Sequence, residues 1–209
     1  MKLVIPDSRY ATFASNMNCE PLEIPVLKIQ SVQPADIKPH FAQAFDWLIV
    51  TSQNTVRALK PLKLQQQFKV AAVGKKTAAA CEEMGWNVAF IPKEESTAGL
   101  VAQNLVQHQI QGTVCLPQSS LSSEALENEL THQGCTVDAF TAYVVEIVKD
   151  KGCKEQLQQQ LVAENIKGFY CTSPSVAQGY LWLAEGYHRA VEFYAIGKTT
   201  QRYLDEHRE

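Results

Sequence analysis

Short apolar stretches alternate with longer amphipathic stretches along the middle of the chain. The apolar stretches have the length of β-strands and occupy 46–51, 68–73, 87–91, 113–116 and 136–140. Continuous apolar runs of this length are typical of strands buried on both faces, and parallel strands need helical crossovers between them. The pattern therefore predicts an α/β fold with mostly parallel sheets covered by helices on both faces.

The stretches between these strands carry helix signals. Ser52, a good helix cap, follows the first strand. Two further helices are expected at about 75–84 and 97–108, with Gly85 ending the first and Thr97 capping the second. A third would bury a face formed by Leu121, Ala125, Leu126 and Leu130.

After residue 150 the same alternation returns. The expected elements are a Gln-rich helix at about 151–163, a strand at 167–171, a helix from after Ser173 to Gly186, a strand at 191–196 and a helix from Lys198. The last third of the chain therefore repeats the βα rhythm of the middle.

Two short motifs occur twice, in the same order. The segment VTSQNTV at 50–56 resembles CTSPSV at 171–176, and AVGKKT at 72–77 resembles AIGKTT at 195–200. Each copy follows a predicted strand and precedes a predicted helix. The two copies of each motif are separated by nearly the same number of residues, which indicates two similar α/β units within one chain.

A third similarity shows how the N-terminus takes part. LVIPDS at 3–8 resembles VCLPQS at 114–119. The second of these begins the β-α-β segment that closes the middle unit. The first 25 residues should therefore be the matching segment of the other unit.

This layout predicts two similar parallel-sheet domains of the flavodoxin or Rossmann kind. The outer domain would be discontinuous, formed by 1–30 and 146–209, and the inserted middle domain would span 31–145. Two stretches rich in β-branched residues, 25–31 and 142–148, make the crossings. We expect them to pair as a two-stranded β connector.

The Gly-Lys-Thr sequence of the second copy is similar to the end of a nucleotide-binding P-loop. A P-loop also needs a glycine five residues before the one that precedes the lysine. Those positions hold Glu192 before Gly197 and Lys69 before Gly74. The spacing excludes a P-loop in either copy.

The repeated turns nevertheless supply helix starts with free backbone N–H groups. In open α/β sheets, turns at the carboxyl ends of strands are where ligands bind. Helix N-termini there favour anions such as carboxylates. The turns concerned are at 51–52, 74, 172–173 and 197. The alternative is that Ser and Thr in these turns only cap helices.

Composition narrows the class of protein without identifying it. The 209 residues carry a formal net charge of −3 with no basic block, so a nucleic-acid surface is not indicated. No apolar run has the length of a membrane span or a signal-peptide core, so a cytoplasmic protein is expected. The six cysteines are scattered, which favours buried thiols over a metal site.

Five segments together resemble the uroporphyrinogen-III synthase family. They are WLIVTSQNTVRAL, VAAVGKKTAAACEEMGWNVAFIP, ALENELTHQGCTVDAFTAYVVEI, GFYCTSPSVAQ and YAIGKTTQRYL, which cover about 40–205 in family order. The resemblance implies two α/β domains joined by a two-stranded ladder. It also implies a cofactor-free, monomeric lyase of porphyrin and haem biosynthesis that cyclises hydroxymethylbilane, a linear tetrapyrrole with eight carboxylates.

The resemblance also implies roles for particular residues. Tyr143 matches the family's cleft tyrosine, whose phenol would assist departure of the terminal hydroxyl; the alternative is an ordinary core aromatic. Thr200 matches a threonine of the last turn and has helix capping as its alternative. The expected substrate-binding residues are Thr51, Ser52, Gln53, Asn54, Gly74, Thr77, Thr97, Thr172, Ser173, Pro174, Ser175, Gly197, Thr199 and Thr200.

The chain departs from the family pattern in three places. Ile5-Pro6-Asp7 stands where a strand often ends in Thr-Arg, 116–120 reads LPQSS where an Arg-Gly turn is frequent, and Glu124 replaces a helix arginine. These differences keep two other interpretations open: a weak or inactive paralogue that binds an anionic tetrapyrrole, and a two-domain small-molecule binder of another kind.

Overall fold

The computed structural model describes residues 1–187 and 189–208. The strands among these residues are β1 (Lys2–Ile5), β2 (Glu20–Glu23), β3 (Leu27–Ser31), β4 (Trp47–Val50), β5 (Lys69–Ala72), β6 (Val88–Phe90), β7 (Thr113–Ser119), β8 (Thr136–Ile147), β9 (Ile166–Cys171) and β10 (Glu192–Ala195). The α-helices are α1 (Ala11–Asn16), α2 (Pro34–Ile37), α3 (Gln53–Leu59), α4 (Lys75–Glu83), α5 (Thr97–Gln107), α6 (Ala125–His132), α7 (Lys151–Val162), α8 (Pro174–Leu183) and α9 (Lys198–His207).

The chain forms two compact units. The outer unit combines Met1–Lys28 with Glu146–Glu209, and the inner unit is Ile29–Val145. The chain passes from the outer unit to the inner one within β3 and returns within β8.

The inner unit contains a sheet with the order β3-β8-β7-β4-β5-β6. The pairs from β8 to β6 are parallel. Side chains of β4 alternate between two cores: Leu48 and Val50 pack with residues of α3 and α4, whereas Trp47 and Ile49 pack with residues of α5 and α6. Burial on both faces explains why this strand reads as a continuous apolar run.

The outer unit has a parallel sheet with the order β10-β9-β1-β2. Its central strands also alternate between two cores. Phe169 and Cys171 face residues of α7, α8 and α9, whereas Tyr170 faces Leu3 and residues of α1. The N-terminal β-α-β segment thus lies in the same sheet as strands from the end of the chain.

The two sheets follow one plan. Read from β10, the outer order β10-β9-β1-β2 corresponds to the inner order β5-β4-β7-β8. β6 has no counterpart among the strands described for the outer unit. The predicted fold class, two similar parallel-sheet α/β units, is confirmed.

The stretches that connect the two units pair as antiparallel neighbours. In the outer unit the amide of Val148 donates to the carbonyl of Val26, with N···O 2.9 Å. In the inner unit the amide of Val32 donates to the carbonyl of Ala142, with N···O 3.0 Å. β8 is a single strand of 12 residues and includes most of what the sequence suggested as two strands.

Two local predictions were wrong. Helix α5 is capped by Ser96, whose Oγ accepts from the amide of Gly99 at 2.9 Å, so Thr97 is the first helical residue and not the cap. Leu121 does not share the face of α6, because that helix begins at Ala125 and Leu121 is 54% exposed in the turn before it. Ser and Thr both cap helices, but Ser is the more favourable of the two, which agrees with the cap at Ser96.

The cysteines are free thiols, as predicted. Five of them, Cys19, Cys81, Cys115, Cys135 and Cys171, are buried, and Cys153 is half-buried. Burial raises the pKa of Cys81 and of Cys171 to about 12, since a buried thiolate loses its hydration. Among the helices described, none has both the length and the apolarity required to cross a membrane.

Candidate functional site

The predicted turns of the inner unit lie side by side at one edge of its sheet. Val50, the last residue of β4, pairs with Ala72, the last residue of β5. The amide of Val73 then donates to the carbonyl of Val50 at 2.9 Å. The turn at Thr51-Ser52 and the turn at Gly74 therefore start two neighbouring helices at the carboxyl ends of adjacent strands, where α/β proteins bind ligands.

The first inner turn caps its own helix. Ser52 has an extended backbone, and its Oγ accepts from the amide of Asn54 at 3.1 Å. Thr51, Gln53 and Asn54 are half-buried beside it. The hydroxyl of Ser52 is engaged with the backbone, which matches the capping alternative for this residue.

The second inner turn is occupied by a carboxylate of the protein itself. Gly74 precedes α4 with φ +91° and ψ 152°, a conformation that favours glycine. The amide of Lys75 donates to Oε2 of Glu95 at 3.0 Å, and Nζ of Lys75 lies 3.8 Å from Oε1. A Cβ on Gly74 would lie 2.9 Å from Oε2 of Glu95. The turn thus binds a carboxylate at a helix N-terminus, as expected for this geometry.

The other predicted threonines of the inner unit differ in exposure. Thr77 is buried in the first turn of α4. Thr97 is exposed at the start of α5, which follows the connection that carries Glu95.

The outer unit also brings its two predicted turns together. Cys171, the last residue of β9, pairs with Ala195 of β10, and the amide of Ile196 donates to the carbonyl of Cys171 at 2.9 Å. The turn at 172–175 and the turn at Gly197 are therefore neighbours. Their arrangement is the same as in the inner unit.

The first outer turn is self-capped like its inner counterpart. Oγ of Ser173 accepts from the amide of Val176 at 3.2 Å, and Pro174 occupies the first helical position. Proline is favoured there because its missing N–H would have no partner within the helix. Thr172 and Ser175 are half-buried on either side.

The second outer turn is open. Gly197 precedes α9 with φ −169°, an extended conformation, and makes no side-chain cap. A Cβ placed on it would find no atom of the described residues within 4 Å. Lys198 and Thr199 are exposed, whereas Thr200 is buried in the first turn of the helix.

An ion pair stands at the same edge of the outer sheet. Asp7 follows β1, and its carboxylate binds the guanidinium of Arg9 in two places, with Nε···Oδ1 and Nη2···Oδ2 both 2.7 Å. The side-chain hydrogen bond from Arg9 lowers the pKa of Asp7. β1 lies next to β9, so this guanidinium is at the same carboxyl edge as the turn at Thr172.

Tyr143 lies on β8 of the inner unit and is 6% exposed. It packs in a small cluster with Ala58 and Ala142, and its carbonyl accepts from the amide of Ser120 at 3.0 Å. Its phenol makes no hydrogen bond within the described part of the chain. Burial of the ring agrees with the core-aromatic alternative, while its position beside Ser119 keeps it at the carboxyl end of β7.

Two charged residues at these edges were missed by sequence reasoning. Glu95 lies one residue before a helix cap, on the connection that follows β6, and Arg9 lies two residues after the end-of-strand Asp7. Both residues could have been found from the sequence, because Glu95 and Arg9 each follow a strand whose carboxyl end lies at the predicted binding edge. The family pattern drew attention to other positions instead.

The fold and these edges define a class: a two-unit α/β protein whose parallel sheets present paired helix N-termini suited to anions. The family model described as uroporphyrinogen-III synthase HemD matches residues 8–208. The chain therefore belongs to the uroporphyrinogen-III synthase family, enzymes of porphyrin and haem biosynthesis that are cyclases and lyases.

Individual relatives agree with this placement. A protein of Methanothermobacter thermautotrophicus, provisionally named uroporphyrinogen-III synthase, is 27% identical over 202 residues, which cover 89% of this chain and 79% of that protein. A mutant uroporphyrinogen III synthase of Thermus thermophilus has a TM-score of 0.69 at 19% identity, covering 99% of this chain and 88% of its own. The Helicobacter pylori enzyme has a TM-score of 0.63 at 17% identity, covering 98% and 88%. The two structural likenesses show the fold.

Proposed function

We propose that this protein is an active uroporphyrinogen-III synthase that converts hydroxymethylbilane to uroporphyrinogen III. In this reaction the terminal C–O bond breaks and the hydroxyl leaves as water. Ring D is inverted through a spiro intermediate, and a new C–C bond closes the macrocycle with loss of a proton from the pyrrole carbon. The net change is the loss of one water molecule. The observation that carries the proposal is the family match over residues 8–208.

The helix N-termini at the sheet edges supply the binding chemistry that such a substrate needs. Its carboxylates are anionic, and the protein has a net charge of −3, so attraction must be local. Backbone N–H groups at Ser173, Gly197 and Thr199 would bind carboxylates without a basic surface. We assign the same role to the self-capped turn at 51–54. Holding the flexible chain in one folded arrangement would favour ring inversion over direct closure.

Tyr143 is the proposed acid. A phenol can donate a proton to a departing hydroxyl when the two oxygens are within hydrogen-bond reach. Replacement of Tyr143 by Phe keeps the ring that packs on Ala58 and Ala142 but removes this proton. We expect kcat to fall at least tenfold with little change in substrate affinity. An unchanged kcat would remove Tyr143 from the mechanism.

The deciding experiment is an isomer assay. Hydroxymethylbilane closes spontaneously to the type I isomer, whereas the proposed enzyme gives type III. The purified chain is incubated with hydroxymethylbilane, the products are oxidised, and the porphyrin isomers are separated. Mainly type III is expected. Formation of type I alone at high protein concentration would overturn the proposal.

A second candidate is a binder of anionic tetrapyrroles without isomerase activity. Two observations favour it: Asp7 and Gln118 occupy strand ends where arginines are frequent in the family, and Arg9 is already bound by Asp7. Tight binding of uroporphyrinogen III together with type I product only would select this function. The third interpretation, an unrelated small-molecule binder, does not agree with the family match.

A further inference from the structure

The N-terminus of α4 carries a bound carboxylate in the protein as it stands. Glu95 accepts a hydrogen bond from the amide of Lys75 and lies within ion-pair distance of the Lys75 ammonium group. Its Oε2 fills the space that a side chain at Gly74 would occupy. The turn is therefore observed in its carboxylate-bound arrangement, with the ligand supplied by the chain.

Glu95 does not belong to the turn that it fills. It comes from residues 91–96, between β6 and α5, a segment with neither helix nor strand. Its side chain is 43% exposed and that of Lys75 is 86% exposed. Ion pairs with this exposure are weak, because water competes for both partners. The carboxylate is therefore held loosely enough for another carboxylate to replace it.

The outer unit provides the comparison. The turn before α9 has the same Gly-Lys start, yet among residues 1–187 and 189–208 no side chain accepts from the amide of Lys198, and no atom lies within 4 Å of a Cβ built on Gly197. Lys198 makes no ion pair within residues 1–187 and 189–208. β6 and the connection after it have no counterpart among the described strands of this unit. The two turns thus differ in the conformation of their glycine and in the presence of Glu95.

We propose that Glu95 is an internal competitor for substrate carboxylates at the N-terminus of α4. Its carboxylate occupies the turn in the free protein and is displaced when a carboxylate of the ligand binds there. Glu95 then sets affinity without taking part in the reaction. This inference rests on the proposed function, because it takes the ligand to be a carboxylate-rich tetrapyrrole.

Competition of this kind has a measurable consequence. A ligand that binds only to the open turn has its affinity reduced by the fraction of molecules in which the turn is open. Removing the competitor should therefore tighten binding. Interaction of one carboxylate with a helix N-terminus corresponds to a factor of about two to five in affinity.

The test uses Glu95→Gln and Glu95→Ala, with Glu94→Gln as the matched control. Glu94 is the adjacent exposed carboxylate and makes no ion pair within the described residues. The control removes the same charge from the same segment. Binding of uroporphyrin III, the stable oxidised form of the product, is measured by calorimetry, and KM and kcat are measured in the isomer assay.

We expect both Glu95 variants to bind uroporphyrin III about two- to fivefold more tightly than wild type and the control, with a matching fall in KM and an unchanged kcat. Equal binding by all variants, with type III product from wild type, would overturn the role of Glu95 alone. If the Glu95 variants bind more tightly but only the type I product forms, the proposed reaction is overturned, whereas the role of Glu95 as a competitor is supported. A similar gain in affinity for Glu94→Gln would show that the effect comes from the net charge of the segment, and it would overturn the role of Glu95.

Discussion

The two Gly-Lys turns of this protein have nearly the same sequence but different surroundings. Both follow a parallel strand and both start a helix, yet Gly74 has φ +91° beside a bound carboxylate, whereas Gly197 has φ −169° beside empty space. Only the inner unit has a described β6 whose outgoing connection delivers Glu95. A repeated motif therefore specifies a helix start, while a neighbouring element decides whether that start is available to a ligand.

The largest expected effect concerns α5 of the inner unit, the helix that follows the connection carrying Glu95. Asn104 of α5 is buried, and its side chain bonds to the amide and carbonyl of Ile110 and to Oε1 of Gln133. Asn104→Ala leaves the buried amide and carbonyl of Ile110 and the half-buried Oε1 of Gln133 without this partner, which should cost about 2 to 4 kcal/mol in the free energy of unfolding. Denaturant unfolding measures this loss.

The control for Asn104 is Gln107→Ala, an exposed position at the end of the same helix. Its replacement should change stability by less than about 0.5 kcal/mol. A similar small loss for Asn104→Ala would mean that the packing of α5 on the inner sheet does not depend on this network.

The next effect compares the two glycines directly. Gly74→Ala places a Cβ on a backbone with φ +91° and near Oε2 of Glu95, so we expect a loss of about 1 to 3 kcal/mol in stability. Gly197→Ala meets no atom in an extended backbone and should cost under about 1 kcal/mol. Thermal unfolding of the pair measures the difference. Equal losses would contradict the claim that the two turns differ.

A third pair exchanges residues between equivalent helices. Thr55 and Val176 are each the third residue of the helix that follows a Ser cap, and both are buried. Oγ1 of Thr55 has no hydrogen-bond partner among the residues that the structure describes. Val176→Thr should therefore cost about 1 to 3 kcal/mol, whereas Thr55→Val should be neutral or stabilise by up to about 1 kcal/mol. A destabilising Thr55→Val would show that the hydroxyl has a role that packing does not explain.

The smallest expected effect is the pH dependence of the Asp7–Arg9 pair. The hydrogen bond from Arg9 lowers the pKa of Asp7 in the folded protein. Its stabilisation is therefore complete above the unfolded value of about 3.9 and is lost as the pH falls through the folded value. Because the Arg9 side chain is 68% exposed, Asp7→Asn should cost at most about 1 kcal/mol at pH 7. The difference from wild type should vanish at lower pH; a constant difference would assign it to another cause.

Much of the fold could be predicted because its strands are buried on both faces. The run at 46–51 and the motif at 171–176 gave strand and helix starts that the structure contains as β4, β9, α3 and α8. The repeat predicted two similar α/β units, and the structure shows that their sheets share one strand order. The predicted cap of α5 was wrong by one residue, because Ser96 precedes Thr97 and Ser is the better cap of the two.

The site was harder to predict, because occupation of the turn before α4 depends on a residue that is distant in sequence. The contact of Glu95 with Lys75 spans 20 residues and requires the β6 connection to turn back toward α4. Nothing in the local pattern of AVGKKT indicates this. Similarly, the family resemblance pointed to Tyr143 as a candidate but not to its packing with Ala58 of α3, which arises from the folded sheet.

The central claim is that the two Gly-Lys turns differ in their availability to carboxylates. The most direct measurement is a ¹H–¹⁵N NMR titration of wild type and Glu95→Gln with acetate, a monocarboxylate that can bind each turn separately, following the amides of Lys75 and Lys198. In wild type, the Lys198 amide should shift at lower acetate concentration than the Lys75 amide, and in Glu95→Gln the Lys75 amide should shift at lower concentration than in wild type. Identical titration curves for Lys75 and Lys198 in both proteins would contradict the account.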